Sequence, residues 1–210
     1  MVRVLRLGSG KDRGAILEAA GVLRSGGLVI YPTETVYGLG GDARSDTAVR
    51  KVFDAKGRKF DSPMSIALSS AGLVEKFAHL PPEARGILKL LPGPLTIVLK
   101  AKGGLSRQIV SRSGTIGIRV PAQKVALSLI EAAGFPITST SANVSGNPPP
   151  LTVDDALEQI GDRVDLALDA GRCEGGIPST VVDLTVKPFR ILRKGPVGRE
   201  EIEKAMGLSG

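Results

Sequence analysis

The sequence predicts an α/β or α+β fold with a twisted, mixed parallel and antiparallel sheet flanked by helices. Three observations carry this. Short apolar runs of strand length alternate with longer segments whose apolar residues recur at helical spacing. Some strand candidates follow one another directly, which a purely alternating parallel sheet would not do. The 27 glycines and 14 prolines, close to a fifth of the 210 residues, punctuate apolar segments and form no low-complexity tract.

Taken in order, Gly14–Arg24 reads as a helix that ends at the Gly26-Gly27 cap signal. Leu28–Tyr31 is a short apolar strand stopped by Pro32. Asp46–Ala55 is helical, with Val49, Val52 and Phe53 on one face. Met64–Leu68 reads as a strand. Helical stretches follow over Leu73–Phe77 and Pro82–Leu91, the second opened by Pro-Pro-Glu. On this reading His79 ends a helix before Pro81-Pro82. Leu95–Leu99 and Thr115–Val120 are strands, Val125–Ala133 a helix, and Pro136–Ser139 a strand. Thr152 caps a helix that runs to Ile160, with Asp155 three residues on. Asp165–Leu168, Thr180–Leu184 and Phe189–Leu192 are the last strands, and Arg199–Met206 is a closing helix. The whole of 1–210 is expected to form one domain, the size at which a core needs no staples.

Composition removes several classes. The only cysteine, Cys173, excludes an internal disulfide framework and reads as an ordinary free thiol in a loop. One histidine and one cysteine cannot make the usual zinc clusters. No apolar stretch reaches the length of a membrane span, and the start has no apolar h-region. The expected compartment is therefore the cytoplasm, with no membrane partner.

Charge gives the first functional clue. The net charge is +7, and no acid lies between Ala84 and Ile130, a stretch with eight Lys and Arg. A second acid-free stretch, Leu184–Arg199, holds Lys187, Arg190, Arg193, Lys194 and Arg199. Such runs are commonly solvated faces. They also suit a concavity for an anion, either a nucleotide or a nucleic acid.

The common phosphate and nucleophile motifs are missing. There is no P-loop and no Gly-x-Ser-x-Gly elbow, and Gly8-Ser9-Gly10 lacks the third glycine of a dinucleotide fingerprint. Three other loops are dense in polar chemistry: Tyr31–Asp42, Lys56-Gly57-Arg58 with Ser62-Pro63, and Ser139–Asn147 before three prolines. Each has an ordinary reading: hydroxyls on a strand edge, cations at the negative end of a helix, an Asx or Ser turn. Together they offer hydroxyls, an amide and paired cations at strand ends, where open sheets bind ligands.

At these residues the chain resembles the YrdC-like family, and within it the threonylcarbamoyl-AMP synthases. The resemblance covers about 15–193. It rests on ordered blocks: Tyr31–Leu39, Lys56-Gly57-Arg58, Leu91–Thr96, Ile118–Pro121, Ser139–Gly146 and Pro178–Asp183. It implies a mixed sheet around a basic concave cleft. It also implies a reaction in which threonine, bicarbonate (or carbon dioxide) and ATP give threonylcarbamoyl-AMP and pyrophosphate, for modification of tRNA. By the same resemblance Lys56, Arg58, Ser141 and Asn143 form the catalytic set. Lys56 and Arg58 are implied on the triphosphate, and Ser62, Thr115, Asn143, Leu151 and Arg193 elsewhere on ATP. Thr35, Ala67, Arg119, Ser141 and Ser179 are implied around threonine, with Arg119 on its carboxylate.

Magnesium is expected with ATP, held mainly by phosphates and water, with no protein metal site. Glu34 and Asp183 are candidates for its outer shell, although a turn acid and a strand-end acid are the more ordinary reading of each. Lys59 stands where many members have proline, and Ala67 where some have histidine. The chain is expected to lack the additional C-terminal domain of longer synthases. The resemblance also admits tRNA and the downstream threonylcarbamoyl transferase complex as partners. The alternative is a paralogue without synthase activity that binds tRNA or double-stranded RNA. The low aromatic share argues against base-stacking recognition of single strands.

Overall fold

The computed structural model describes residues 2–8, 12–60 and 62–208. Ser9 and Gly10, in the rejected dinucleotide-type loop, lie outside these residues. The strands are β1 (Arg3–Arg6), β2 (Val29–Tyr31), β3 (Gly38–Gly40), β4 (Ser65–Ala67), β5 (Ala78–His79), β6 (Leu95–Ala101), β7 (Thr115–Arg119), β8 (Ile137–Ser141), β9 (Leu166–Asp169), β10 (Thr180–Asp183) and β11 (Arg190–Arg193). The helices are α1 (Asp12–Arg24), α2 (Asp46–Lys56), α3 (Val74–Phe77), α4 (Lys124–Ala133), α5 (Val153–Ile160) and α6 (Arg199–Met206). The sheet runs β1-β9-β2-β3-β8-β4-β7-β6-β10-β11, with β5 added to the end of β6. β1/β9, β2/β9, β4/β7 and β6/β10 are parallel, and the other pairs antiparallel, so the mixed α/β expectation holds.

Local signals explain most boundaries. Gly26 ends α1 with φ +76°, and the Gly27 amide reaches back to the Val22 carbonyl. Ser45 caps α2 by accepting from the Ala48 amide. Thr152 and Asp155 form the expected capping box on α5.

Four expectations change. β1 was not expected; it is an exposed edge strand on β9. Gly38-Leu39-Gly40 reads from sequence as a turn but forms a central strand between β2 and β8. Both glycines face the Tyr31 ring, and a Cβ on Gly38 would stand 2.8 Å from Tyr31 Cζ. Bulk on β2 thus requires its absence on β3. His79 does not end a helix; it is exposed in β5, paired with Lys100. Pro82–Leu90 winds as a 3₁₀ helix, against which α6 packs.

Two apolar clusters lie on the sheet. The larger joins Ile66, Ile97, Ile118 and Val182, aligned across β4, β6, β7 and β10, to Val52 and Phe53 of α2. The smaller packs Ala19 and Leu23 of α1 and Leu129 and Ile130 of α4 over Tyr31, Ala67, Ile137 and Leu168. Among the described residues no helix is long and apolar enough to cross a membrane.

Candidate functional site

The strand period of two builds the site. Ile116 and Ile118 of β7 point into the larger core, while Thr115, Gly117 and Arg119 point away from it. Thr96 and Val98 of β6, Val181 and Asp183 of β10, and Ser139 and Ser141 of β8 join them. Together they line a cavity of about 780 Å³. Gly117 is small for a reason: a Cβ there would collide with Ser65 Oγ, another lining group. The cavity also takes in Thr33, Arg58, Lys59, Ser62 and Arg193.

Helix α2 delivers the first cations. Gly57 adopts the left-handed conformation (φ +57°), and the Arg58 amide bonds the Phe53 carbonyl, so the helix stops between Lys56 and Arg58. Lys56 is buried, and its Nζ donates to the Ser141 carbonyl at 2.5 Å, the Asn143 carbonyl at 2.7 Å and Asn143 Oδ1 at 3.4 Å. Burial, and then the Arg58 charge, pull its ammonium from 10.5 down to about 7. Arg58 donates to the Pro63 carbonyl at 2.7 Å, and burial lowers its pKa as well. Asn143 Nδ2 donates to the Val144 and Asn147 carbonyls, both at 2.8 Å, which folds the segment after β8 onto itself.

The other wall centres on Arg119, only 7 % exposed. Its Nη2 donates to Glu34 Oε1 at 2.7 Å and Thr35 Oγ1 at 2.8 Å, with Thr33 Oγ1 farther at 3.4 Å. Its buried Nε has no partner among the described residues. Glu34 Oε2 accepts from the Ala122 amide, so the carboxylate bridges β7 and the following turn. Arg193 donates to the Ser179 carbonyl and hydroxyl, and Ser179 Oγ is 2.8 Å from Thr96 Oγ1. Burial, and then the Arg119 charge, lower the pKa of Arg193.

Of the residues singled out from sequence, Lys56, Arg58, Ser62, Thr115, Arg119, Ser141, Asn143, Ser179 and Arg193 line this one cavity. Three do not. Thr35 is buried behind the wall, against Arg119. Ala67 shares a sheet face with its partner Arg119 but lies under α1 and α4 in the smaller core. Leu151 starts the turn into α5, its amide on the Asp155 carboxylate and its carbonyl on the Cys173 amide. Glu34 and Asp183, whose more ordinary reading from sequence is a turn acid and a strand-end acid, hold Arg119 and line the cavity respectively. Ser65 went unnoticed in the sequence, and Thr96 and Ser139 stood within the quoted blocks without a role at the site. Alternation of hydroxyl or glycine with isoleucine, as in Thr115–Arg119 and Ser65-Ile66, was the available signal for part of it. Cys173 is buried and burial raises its pKa, as suits an unreactive thiol.

Fold and site define an α/β protein with a cavity lined largely by polar side chains on one face of a mixed sheet. The chain belongs to the Sua5/YciO/YrdC family, whose model, described as "Telomere recombination", matches residues 21–195. It is similar to the threonylcarbamoyl-AMP synthase of Pyrococcus abyssi, at 42 % identity over 191 residues. That match covers 90 % of this chain and 56 % of the relative, so the chain spans about half that protein's length. A Mycobacterium tuberculosis relative is 38 % identical over 200 residues, covering 94 % of this chain and 91 % of its own. The structure of P. abyssi Sua5 complexed with L-threonine matches with a TM-score of 0.91 at 39 % identity. It covers 99 % of this chain and 61 % of that one. The Escherichia coli YciO structure shares the fold, with a TM-score of 0.88 at 24 % identity, covering 96 % of this chain and 100 % of that one.

Proposed function

We propose that this chain is a threonylcarbamoyl-AMP synthase. The observation that carries the reading is Arg119: a buried guanidinium on a ligand-sized cavity, held in place by Glu34 and Thr35 through one nitrogen, Nη2. A fork of that kind suits a planar carboxylate. The relative that was solved with L-threonine, and the synthase names of the curated relatives, support threonine as that carboxylate's owner. They favour the synthase over the RNA-binding alternative.

The chemistry asks for no enzyme nucleophile. The threonine amine adds to carbon dioxide, formed from or supplied as bicarbonate, and loses a proton to give a carbamate. A carbamate oxygen attacks the α-phosphorus of ATP, the bond to the bridging oxygen breaks, and pyrophosphate departs. What the protein contributes is orientation and charge stabilisation. We assign the threonine carboxylate to Arg119, with Ser141 and Ser179 beside it and Thr35 acting from behind. We assign ATP to Arg58, Ser62, Thr115, Asn143 and Arg193. Ala67 and Leu151 drop out of the assignment because neither lines the cavity.

Magnesium would enter with ATP, held by phosphate oxygens and water, and would neutralise charge on the phosphates. Among the described residues no three His, Cys, Asp or Glu side chains gather as a cage, and Asp183 is the acid on the lining. A cytoplasmic location, tRNA and a downstream threonylcarbamoyl transferase complete the reading. The test is pyrophosphate release from magnesium ATP, with threonine and bicarbonate added singly and together. Release that needs both is expected; release indifferent to threonine, or none from folded protein, overturns the proposal.

A further inference from the structure

Lys56 and the segment 141–147 are joined at both ends of the lysine. Its backbone carbonyl accepts from the Ser145 amide at 2.8 Å. Its side chain crosses the buried interval and spends its ammonium on Ser141 and Asn143. An ammonium has three hydrogens, and three oxygens of this segment stand around Nζ. Asn143 is equally committed: its Oδ1 faces Lys56, and its Nδ2 closes on the Val144 and Asn147 carbonyls. Arg58, two residues on, makes one side-chain hydrogen bond among the described residues, to the Pro63 carbonyl, and lines the cavity.

We propose that Lys56 is a positioning residue that clasps the Ser141–Asn147 segment into the cavity wall, and that the triphosphate is held by Arg58 and its neighbours instead. Lysine suits this role physically. Its flexible stem buries along apolar surface, and its three donors fan toward the Ser141 and Asn143 oxygens where the chain leaves β8. An unpaired carbonyl buried there would cost about as much as a lost hydrogen bond. The clasp therefore decides where Ser141 and Asn143 stand, and it acts on any ligand through them. The part that concerns nucleotides rests on the synthase reading; the clasp itself does not.

The test compares Lys56→Met and Arg58→Ala with the parent chain, first by amide exchange and then by ATP and AMP binding. In Lys56→Met the amides of Ala142, Val144, Ser145 and Asn147 are expected to exchange at least tenfold faster, while Arg58→Ala leaves them unchanged. ATP and AMP affinities are expected to fall by the same factor in Lys56→Met, within twofold, because a clasp does not distinguish phosphate number. In Arg58→Ala the ATP loss should exceed the AMP loss at least tenfold. Unchanged exchange in Lys56→Met, or a loss selective for ATP there, overturns the proposal. If the parent chain binds neither nucleotide, the synthase reading fails and exchange alone decides the clasp.

Should Lys56→Met not fold, the carbon-13 resonance of Lys56 Cε in the intact protein takes its place. Saturating ATP and saturating AMP are expected to shift it equally. A shift confined to ATP places Nζ on the outer phosphates and overturns the proposal.

Discussion

Arg119 gives one nitrogen to both Glu34, at 2.7 Å, and Thr35, at 2.8 Å, and keeps its Nε buried and unbonded. An unsatisfied buried donor costs roughly 1–3 kcal/mol. The ion pair fixes the guanidinium in place beside the cavity, where the donors it does not spend on Glu34 and Thr35 can meet a carboxylate.

Replacing Arg119 with alanine should therefore damage one substrate more than the other. Threonine affinity is expected to fall roughly 10–100-fold, the ~1.5–3 kcal/mol of a charge-assisted hydrogen bond. ATP affinity should fall by a far smaller factor. Separate titrations with each ligand check this, and equal losses contradict the carboxylate assignment.

Glu34 is expected to matter for stability before it matters for catalysis. Glu34→Ala leaves a guanidinium that is nine-tenths buried without its counter-charge. Because Glu34 is itself partly exposed, the cost should sit below that of a fully buried pair, at roughly 1–3 kcal/mol. Urea denaturation at neutral pH reads it directly. A midpoint that does not move would show that Arg119 is held by Thr35 and the strand alone.

Lys56 should leave a signature in the pH dependence of stability. Burial, with Arg58 beside it, brings its ammonium down from 10.5 to about 7. Between those values the unfolded chain binds a proton that the folded chain has released. Stability contributed by this group therefore rises as pH increases across that window. The stability difference between parent and Lys56→Met should shift toward the parent by up to ~1.4 kcal/mol per pH unit. Denaturant midpoints at pH 7 and pH 9 test it; a constant difference contradicts the depressed value.

Gly38→Ala should be costly although glycine is ordinarily a weak strand residue. The new Cβ would meet Tyr31 Cζ at 2.8 Å, and the ring is buried and cannot swing aside. Overpacking of this kind costs roughly 1–3 kcal/mol. Thermal unfolding of Gly38→Ala beside Tyr31→Leu/Gly38→Ala separates the clash from propensity: the double variant should show a smaller penalty for the glycine change than the single one.

The sequence made most helices and strands legible because their signals are local. Ser45, Gly57 and Thr152 cap helices by contacts within four residues, and the chain around them states as much. β1 and β3 escaped because nothing local marks them. β1 is a four-residue edge strand with most side chains exposed, and β3 is two glycines around a leucine. Each is a strand because of the neighbour it meets: β9 for one, Tyr31 and β8 for the other.

The candidate site divides along the same line. Residue types in the polar loops put Lys56, Arg58, Ser141 and Asn143 in view, and the family resemblance in its ordered blocks added Arg119. Types and order are properties of the chain, so the sequence settles them. Which group pairs with which is a property of space. Only the folded sheet brings Glu34 to Arg119 across 85 positions and Lys56 to Ser141 across another 85. It also placed Ala67, expected to border threonine, in the smaller core beside Arg119. Sheet pairing sets those partners, and pairing is fixed by burial of the alternate faces, which no short stretch of sequence contains.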